Sequence, residues 1–299
     1  MTGHLQSLFT KGHFFEGPRW HDGRWWASDF YSHTVWAITT DGSAERILTV
    51  NEQPSGLGWM PDGSLLVVSM RDHKLLRRWP DGRIETHADL SAHATGWAND
   101  MVVDSQGRAW VGNFGCDLAG RDALRPAALV RVDPDGTAVV AAEDLYFPNG
   151  SVITPDGGTL IVGETFGNCL TAFTIERDGR LTDRRPWATF GQRPAPGPRA
   201  EMVQQIKVAP DGCCLDAEGF IWVADAVGQR CIRVAPGGGI VDEVKAPQGQ
   251  GIFACMLGGD DGRTLLLCCA PDSSPRRRSA AAEAELLTCE VEVPHAGRP

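Results

Sequence analysis

Short apolar runs of four or five residues recur along the whole chain, each set off by polar turns. Trp25-Trp26-Ala27-Ser28, Leu65-Leu66-Val67-Val68, Ala109-Trp110-Val111-Gly112, Leu160-Ile161-Val162-Gly163 and Ile221-Trp222-Val223-Ala224 are the clearest examples. Runs this short, rich in β-branched and aromatic residues and bounded by Gly and Asp, read as strands. The turns before them are Asp22-Gly23, Asp62-Gly63, Gln106-Gly107, Asp156-Gly157 and Glu218-Gly219, and a sixth follows at Asp261-Gly262. The glycines are therefore spaced 40–62 residues apart. A second turn closes a further strand in five units, at Asp41-Gly42, Asp81-Gly82, Asp135-Gly136, Asp178-Gly179 and Gly237-Gly238. Four short strands in each of six units predict an all-β fold, a six-bladed β-propeller with four antiparallel strands per blade. Residues 4–9 read as a strand without a blade of its own. Pairing it into the last blade, beside 286–293, would close the ring and remove an open edge. A repeat that runs through all 299 residues predicts one domain, 1–299.

Within each unit, strand A precedes the first Asp-Gly turn and strand B follows it, then C and D. The A–B and C–D turns share one face of such a disc, and the B–C and D–A connections share the other. The long connections at 113–128, 191–205 and 270–284 all belong to that second face, which predicts a binding rim. The Ser, Arg and Ala content of 270–284 suits mobile decoration equally well.

The same face collects the starts of the A strands. Glu16, Asn99, Asn149 and Asp211 stand just before four of those strands, in Phe14-Phe15-Glu16-Gly17-Pro18, Trp97-Ala98-Asn99-Asp100, Phe147-Pro148-Asn149-Gly150 and Ala209-Pro210-Asp211-Gly212. Propeller symmetry would bring them together around the axis. Two carboxylates and two amide oxygens form a hard, oxygen-only set that suits Ca²⁺, Mg²⁺ or Mn²⁺. Pro-Asp-Gly also serves as an ordinary turn at 61–63, 80–82, 134–136 and 155–157. Asp211 differs in register, because Glu218-Gly219 already supplies the A–B turn of its unit.

These residues carry a resemblance to the senescence marker protein/gluconolactonase/luciferin-regenerating-enzyme family of six-bladed propellers. It covers nearly the whole chain and rests on Glu16-Gly17-Pro18-Arg19-Trp20, Asn99-Asp100, Pro148-Asn149-Gly150, Pro210-Asp211-Gly212 and the run from Asp216 to Ala224. The resemblance implies one divalent cation held by Glu16, Asn149 and Asp211, Ca²⁺ first, with Mg²⁺, Mn²⁺ and Zn²⁺ as alternatives. It implies a lactone hydrolase acting on a small-molecule lactone, with Asn99 as a further ligand or a catalytic group touching substrate. Metal-assisted hydrolysis would use Asp211 to take a proton from water, with Asp100 or Glu164 as alternative bases near the same mouth. Both would join Trp97 and Asn99 there as substrate contacts, and Glu164 reads more simply as paired with rim donors. Trp97 stands where sugar-lactone members of the family often carry Arg. It either meets a less polar substrate or packs in the rim.

Composition narrows the partners. A net charge of −10 argues against nucleic acid, and Arg276-Arg277-Arg278 reads as a solvated loop. No apolar stretch reaches membrane-spanning length, and Met1-Thr2-Gly3-His4 does not begin a signal peptide. Asn149-Gly150-Ser151 matches a glycosylation sequon without secretory support. Nine cysteines, with adjacent pairs at Cys213-Cys214 and Cys268-Cys269 inside strands, suit buried thiols in a reducing cytoplasm, and Cys116 and Cys255 read as structural. Competing readings are a metal-dependent esterase or phosphotriesterase, and a non-catalytic binding propeller with a structural cation.

Overall fold

The computed structural model describes residues 3–115, 125–195 and 199–297. Its strands form six antiparallel four-stranded sheets, one per blade. Blade I runs Phe15–His21, Arg24–Asp29, Thr34–Ile38 and Ala44–Thr49, from the axis outward. The innermost strands of blades II to VI are Pro54–Trp59, Ala98–Val103, Pro148–Ile153, Pro210–Leu215 and Gly251–Gly258. Blade VI is completed by the N-terminal strand Gln6–Gly12, which pairs antiparallel with Ala284–Glu290. The first and last strands therefore share one sheet, and the ring closes as the repeat predicts.

Every first-turn glycine has a left-handed backbone, with φ between 71° and 81° at Gly23, Gly63, Gly107, Gly157, Gly219 and Gly262. A residue with a Cβ is strained there, which explains the regularity of the signature. Between blades the core is aliphatic and aromatic, with Trp25, Trp110 and Trp222 fully buried on the second strands of blades I, III and V.

A second set of glycines acts by size. A Cβ on Gly56 would lie 2.5 Å from the Met101 nitrogen, and one on Gly150 would lie 2.3 Å from the Asp211 carbonyl oxygen. On Gly212 it would lie 2.5 Å from the Ala254 Cβ. Inner strands of neighbouring blades therefore approach backbone to backbone near the axis, directly beside Asn149 and Asp211. Gly150→Ala is expected to cost about 1–3 kcal/mol through overpacking, read by urea unfolding. An unchanged midpoint would show that the inner strands have slack.

The long connections differ from the sequence reading in one respect. Residues 270–284 contain the helix Pro275–Ala280, and Arg278 is buried there rather than solvated. Arg278 Nη2 donates to Glu283 (2.8 Å), Arg277 Nε donates to Asp272 (2.9 Å), and His13 Nδ1 donates to the Arg278 carbonyl (2.8 Å). Local carboxylates turn the basic run into a pinned segment. The connection at 191–205 carries the helix Arg199–Gln204, and most of 113–128, Cys116 included, lies outside the described residues.

Cys213 and Cys214 are both buried but belong to different apolar clusters, as opposite faces of one strand require. The eight described cysteines are free thiols. Among the described residues no helix is long and apolar enough to cross a membrane.

Candidate functional site

Glu16, Asn99, Asn149 and Asp211 each occupy the second position of an innermost strand, rather than the loop before it. The difference has a local cause. In blades I to V the A–B pairing breaks just beyond this position, between Glu16 and Arg19, Pro54 and Leu57, Ala98 and Met101, Pro148 and Ser151, and Pro210 and Cys213. A break of this kind bends the strand and re-aims its side chains. All four residues are buried and line one cavity of about 240 Å³.

Their side chains form a hydrogen-bonded arc around the axis. Ser55 Oγ donates to Asn99 Oδ1 (3.0 Å), and Asn99 Nδ2 donates to Asn149 Oδ1 (2.9 Å). Asn149 Nδ2 then donates to Asp211 Oδ1 (2.5 Å) and to Thr165 Oγ1 (3.1 Å). Thr165 in turn donates to the Pro210 carbonyl (2.7 Å). Four blades are thereby linked in series through side chains.

The sequence reading missed Ser55 and Thr165. Ser55 was recoverable, because Pro54-Ser55-Gly56 repeats the Pro-X-Gly frame of Pro148-Asn149-Gly150 and Pro210-Asp211-Gly212. Thr165 had no comparable signal. Also missed were six phenylalanines that line the cavity: Phe14, Phe30, Phe114, Phe147, Phe166 and Phe253. The long connections contribute Phe114, Val203 and Ser273 to the lining, so each of the three reaches the site.

The electrostatics of the cavity floor are unbalanced. Burial, then repulsion from Asp211 and Asp100, raises the Glu16 carboxyl well above its ordinary range. Burial pushes Asp211 up to about 8, with the Asn149 hydrogen bond opposing and Asp100 adding. The one arginine acting on this group, Arg19, is committed to Asp100 (2.9 Å) and to the Met101 carbonyl. Two buried carboxylates thus share a pocket whose described lining contains no cationic side chain.

Three expected substrate contacts lie elsewhere. Asp100 is buried against Arg19 and accepts from the Met101 amide (2.8 Å). Trp97 stands behind Phe114, edge-on at 6.4 Å between ring centroids, with the Arg71 guanidinium over its own ring at 5.4 Å.

Glu164 is fully buried at the end of its B strand. It accepts from the Tyr146 amide (2.8 Å) and the Thr171 hydroxyl (2.6 Å), with Arg184 at 3.5 Å and Arg193 at 3.6 Å. Asp29 and Asp225 end their own B strands in the same way and accept from the amides of Phe14 and Ala209 (each 3.0 Å). An acid that recurs at one blade position to hold the D–A connection has a structural task. Glu164→Gln is accordingly expected to lower stability by about 1–3 kcal/mol while changing kcat/KM less than about fivefold (RT ln 5 is about 1 kcal/mol). A thousandfold loss of turnover in a stably folded variant would restore it as a base.

Residues 14–270 match the sequence model described as the SMP-30/Gluconolactonase/LRE-like region. A 6-deoxy-6-sulfogluconolactonase of Pseudomonas putida is 30% identical over 167 residues, which are 56% of this chain and 52% of that one. A pentonolactonase of Haloferax volcanii is 26% identical over 212 residues, 70% of this chain and 65% of that one. The chain therefore spans between half and two thirds of the length of these relatives. Among solved structures, a calcium-binding regucalcin from Agrobacterium tumefaciens superposes with a TM-score of 0.78 at 22% identity, covering 99% of this chain and 97% of that one. The chain belongs to the SMP-30/gluconolactonase/LRE-like family.

Proposed function

We propose that this propeller hydrolyses lactones at the floor of the axial cavity, with a divalent cation held by Glu16, Asn149 and Asp211. One observation carries the reading. Two buried carboxylates and two amide side chains converge there in an apolar shell, with nothing cationic in the described lining to balance them. Oxygen donors of this kind fit a hard cation, Ca²⁺ first and Mg²⁺, Mn²⁺ or Zn²⁺ after it. The named lactonases among the relatives support the reaction class, and the calcium-binding regucalcin supports the ion.

When bound, the cation would supply Lewis-acid polarisation of the lactone carbonyl. The rest falls to the chain. Water adds to the acyl carbon and the ring C–O bond breaks, giving a hydroxy acid that releases one proton near neutral pH. Asp211 takes the proton of the attacking water. It is the carboxylate best suited to this, since Asp100 is paired with Arg19 and Glu164 is filled by its own donors. Asn99, held between Ser55 and Asn149, orients the substrate from the adjacent blade. Aromatic walls around the polar floor limit bulk water.

The test is a panel of lactones, open-chain esters and a phosphotriester, assayed by proton release with single cations added. Lactones should be opened at least about tenfold faster per KM than the matched esters, a difference of about 1.4 kcal/mol. Preferred turnover of the phosphotriester, or no cation-dependent opening of any lactone, would overturn the reading.

A further inference from the structure

We infer that the lactone taken by this site is uncharged and aromatic, with its flat ring held between two facing phenylalanine walls. The inference rests on the lactonase reading for the chemistry at the floor, but the walls stand on their own geometry. One wall comes from the inner ends of blades VI and I. There Phe14 packs against Phe253 at 4.9 Å and against Phe30 at 5.4 Å, with rings tilted by 51° and 48°. The other comes from blades III and IV, where Phe147 packs against Phe114 at 4.5 Å and Phe166 at 5.4 Å, tilted by 49° and 47°. In a ring of six, blade I lies opposite blade IV and blade III opposite blade VI. The two triplets therefore face each other across the axis, with Glu16, Asn99, Asn149 and Asp211 between them. Besides Asp211 on the floor and Val203 from the connection before it, blade V contributes only the small or aliphatic Ala209, Ala226 and Val227 to the described lining, which leaves room between the walls.

Two consequences follow for the ligand. A polyhydroxylated or anionic lactone needs hydrogen-bond donors and cations, and the described lining offers no Arg, Lys, His or Tyr. The polar groups it does offer are the floor residues, Thr165 and Ser273, so hydroxyls directed at the two walls would be desolvated against phenyl faces. An aromatic ring instead gains offset and edge contacts on both sides. The leaving group points the same way. Only the two floor carboxyls, Asp211 once it holds the proton of the attacking water and Glu16, stand in the described lining to protonate a departing alkoxide. A phenolate, whose conjugate acid has a pKa of about 10 as in tyrosine, leaves without that help. Trp97 braces Phe114 from behind and so stiffens one wall without touching the cavity.

The experiment separates this inference from the reading beneath it. Calcium-loaded protein is titrated calorimetrically with two unreactive lactams, 3,4-dihydroquinolin-2-one and gluconolactam. The matching lactones, 3,4-dihydrocoumarin and glucono-1,5-lactone, are assayed for turnover in parallel. The aromatic lactam should bind at least about tenfold tighter, and the aromatic lactone should show a kcat/KM at least about tenfold higher. Phe147→Leu and Phe253→Leu, checked for wild-type melting, should each raise KM for the aromatic lactone by about tenfold or more. Equal or tighter binding of the sugar lactam overturns the aromatic assignment, even if both lactones are opened. Tight aromatic binding with neither lactone opened upholds the two-walled pocket and overturns the lactonase reading alone.

Discussion

Asp211→Asn is expected to reduce lactone turnover by about 10²–10⁴-fold, the range of a lost general base, while leaving the metal-free propeller at least as stable as the wild type. The two halves of this result have separate origins. Turnover falls because an amide cannot accept the proton of the attacking water. Stability holds because the carboxyl being removed is buried and repelled by Asp100, which together push it up to about 8 against the Asn149 hydrogen bond. Asparagine has nearly the same shape and can still accept the hydrogen bond from Asn149 Nδ2. At neutral pH the metal-free fold must hold Asp211 protonated while the unfolded chain ionises it, a cost asparagine does not carry, so the exchange stabilises by about 1 kcal/mol or more, or roughly 2 °C in Tm. Steady-state kinetics, elemental analysis of bound metal and melting in chelator give the three readouts. Wild-type turnover with metal retained would exclude Asp211 as base. A fall in Tm of several degrees in chelator would show that its charge is already balanced without a cation.

Chelation is expected to abolish turnover and to lower Tm by an amount that grows between pH 5 and pH 8. The sign follows from the raised carboxyls. In the metal-free fold Asp211 keeps its proton up to about pH 8, whereas the unfolded chain loses it near the ordinary 3.8. A group raised in this way favours the fold fully below its unfolded pKa. The contribution is lost as pH climbs through the folded value. Glu16 shifts in the same direction through burial and the repulsion of Asp211 and Asp100. A bound cation removes this handicap, and protons compete with it least at high pH. With ligand at a hundred times its Kd the gain is about 2.7 kcal/mol, or roughly 5–10 °C. Melting curves at pH 5 and pH 8, with and without calcium, check it. An equal cation effect at the two pH values would mean that Glu16 and Asp211 are not the ligands.

How much of this was legible in the chain depends on whether the feature repeats. The turns did, since Asp22-Gly23 and its five counterparts mark the same backbone need in every unit. The floor residues did as well, because Glu16, Asn99, Asn149 and Asp211 share one register of one strand. Ser55 belongs to the same series by register and was missed, although Pro54-Ser55-Gly56 carries the same frame. Glu164 was read either as a base at the mouth or as paired with rim donors, and its hydrogen bonds and ion pairs agree with the second. Comparison with Asp29 and Asp225 at equivalent strand ends would have exposed its structural task. Trp97 marked an apolar rim, yet it is Phe114 and Phe147 that form the wall, and nothing in a linear pattern says which of two adjacent aromatics faces the axis.

The amino-acid order alone determined the number of blades, the closure of the ring through the N-terminal strand and the register position of the four floor residues, because each is a local backbone or register requirement that recurs from unit to unit. Only the tertiary structure decided which acids stay unpaired in the pocket, which are taken up by Arg19 or by backbone amides, and that two phenylalanine triplets face each other across the floor. Those outcomes depend on distances between blades and on desolvation shared by residues up to about 240 positions apart, from Phe14 to Phe253, and such terms have no counterpart in short-range sequence pattern.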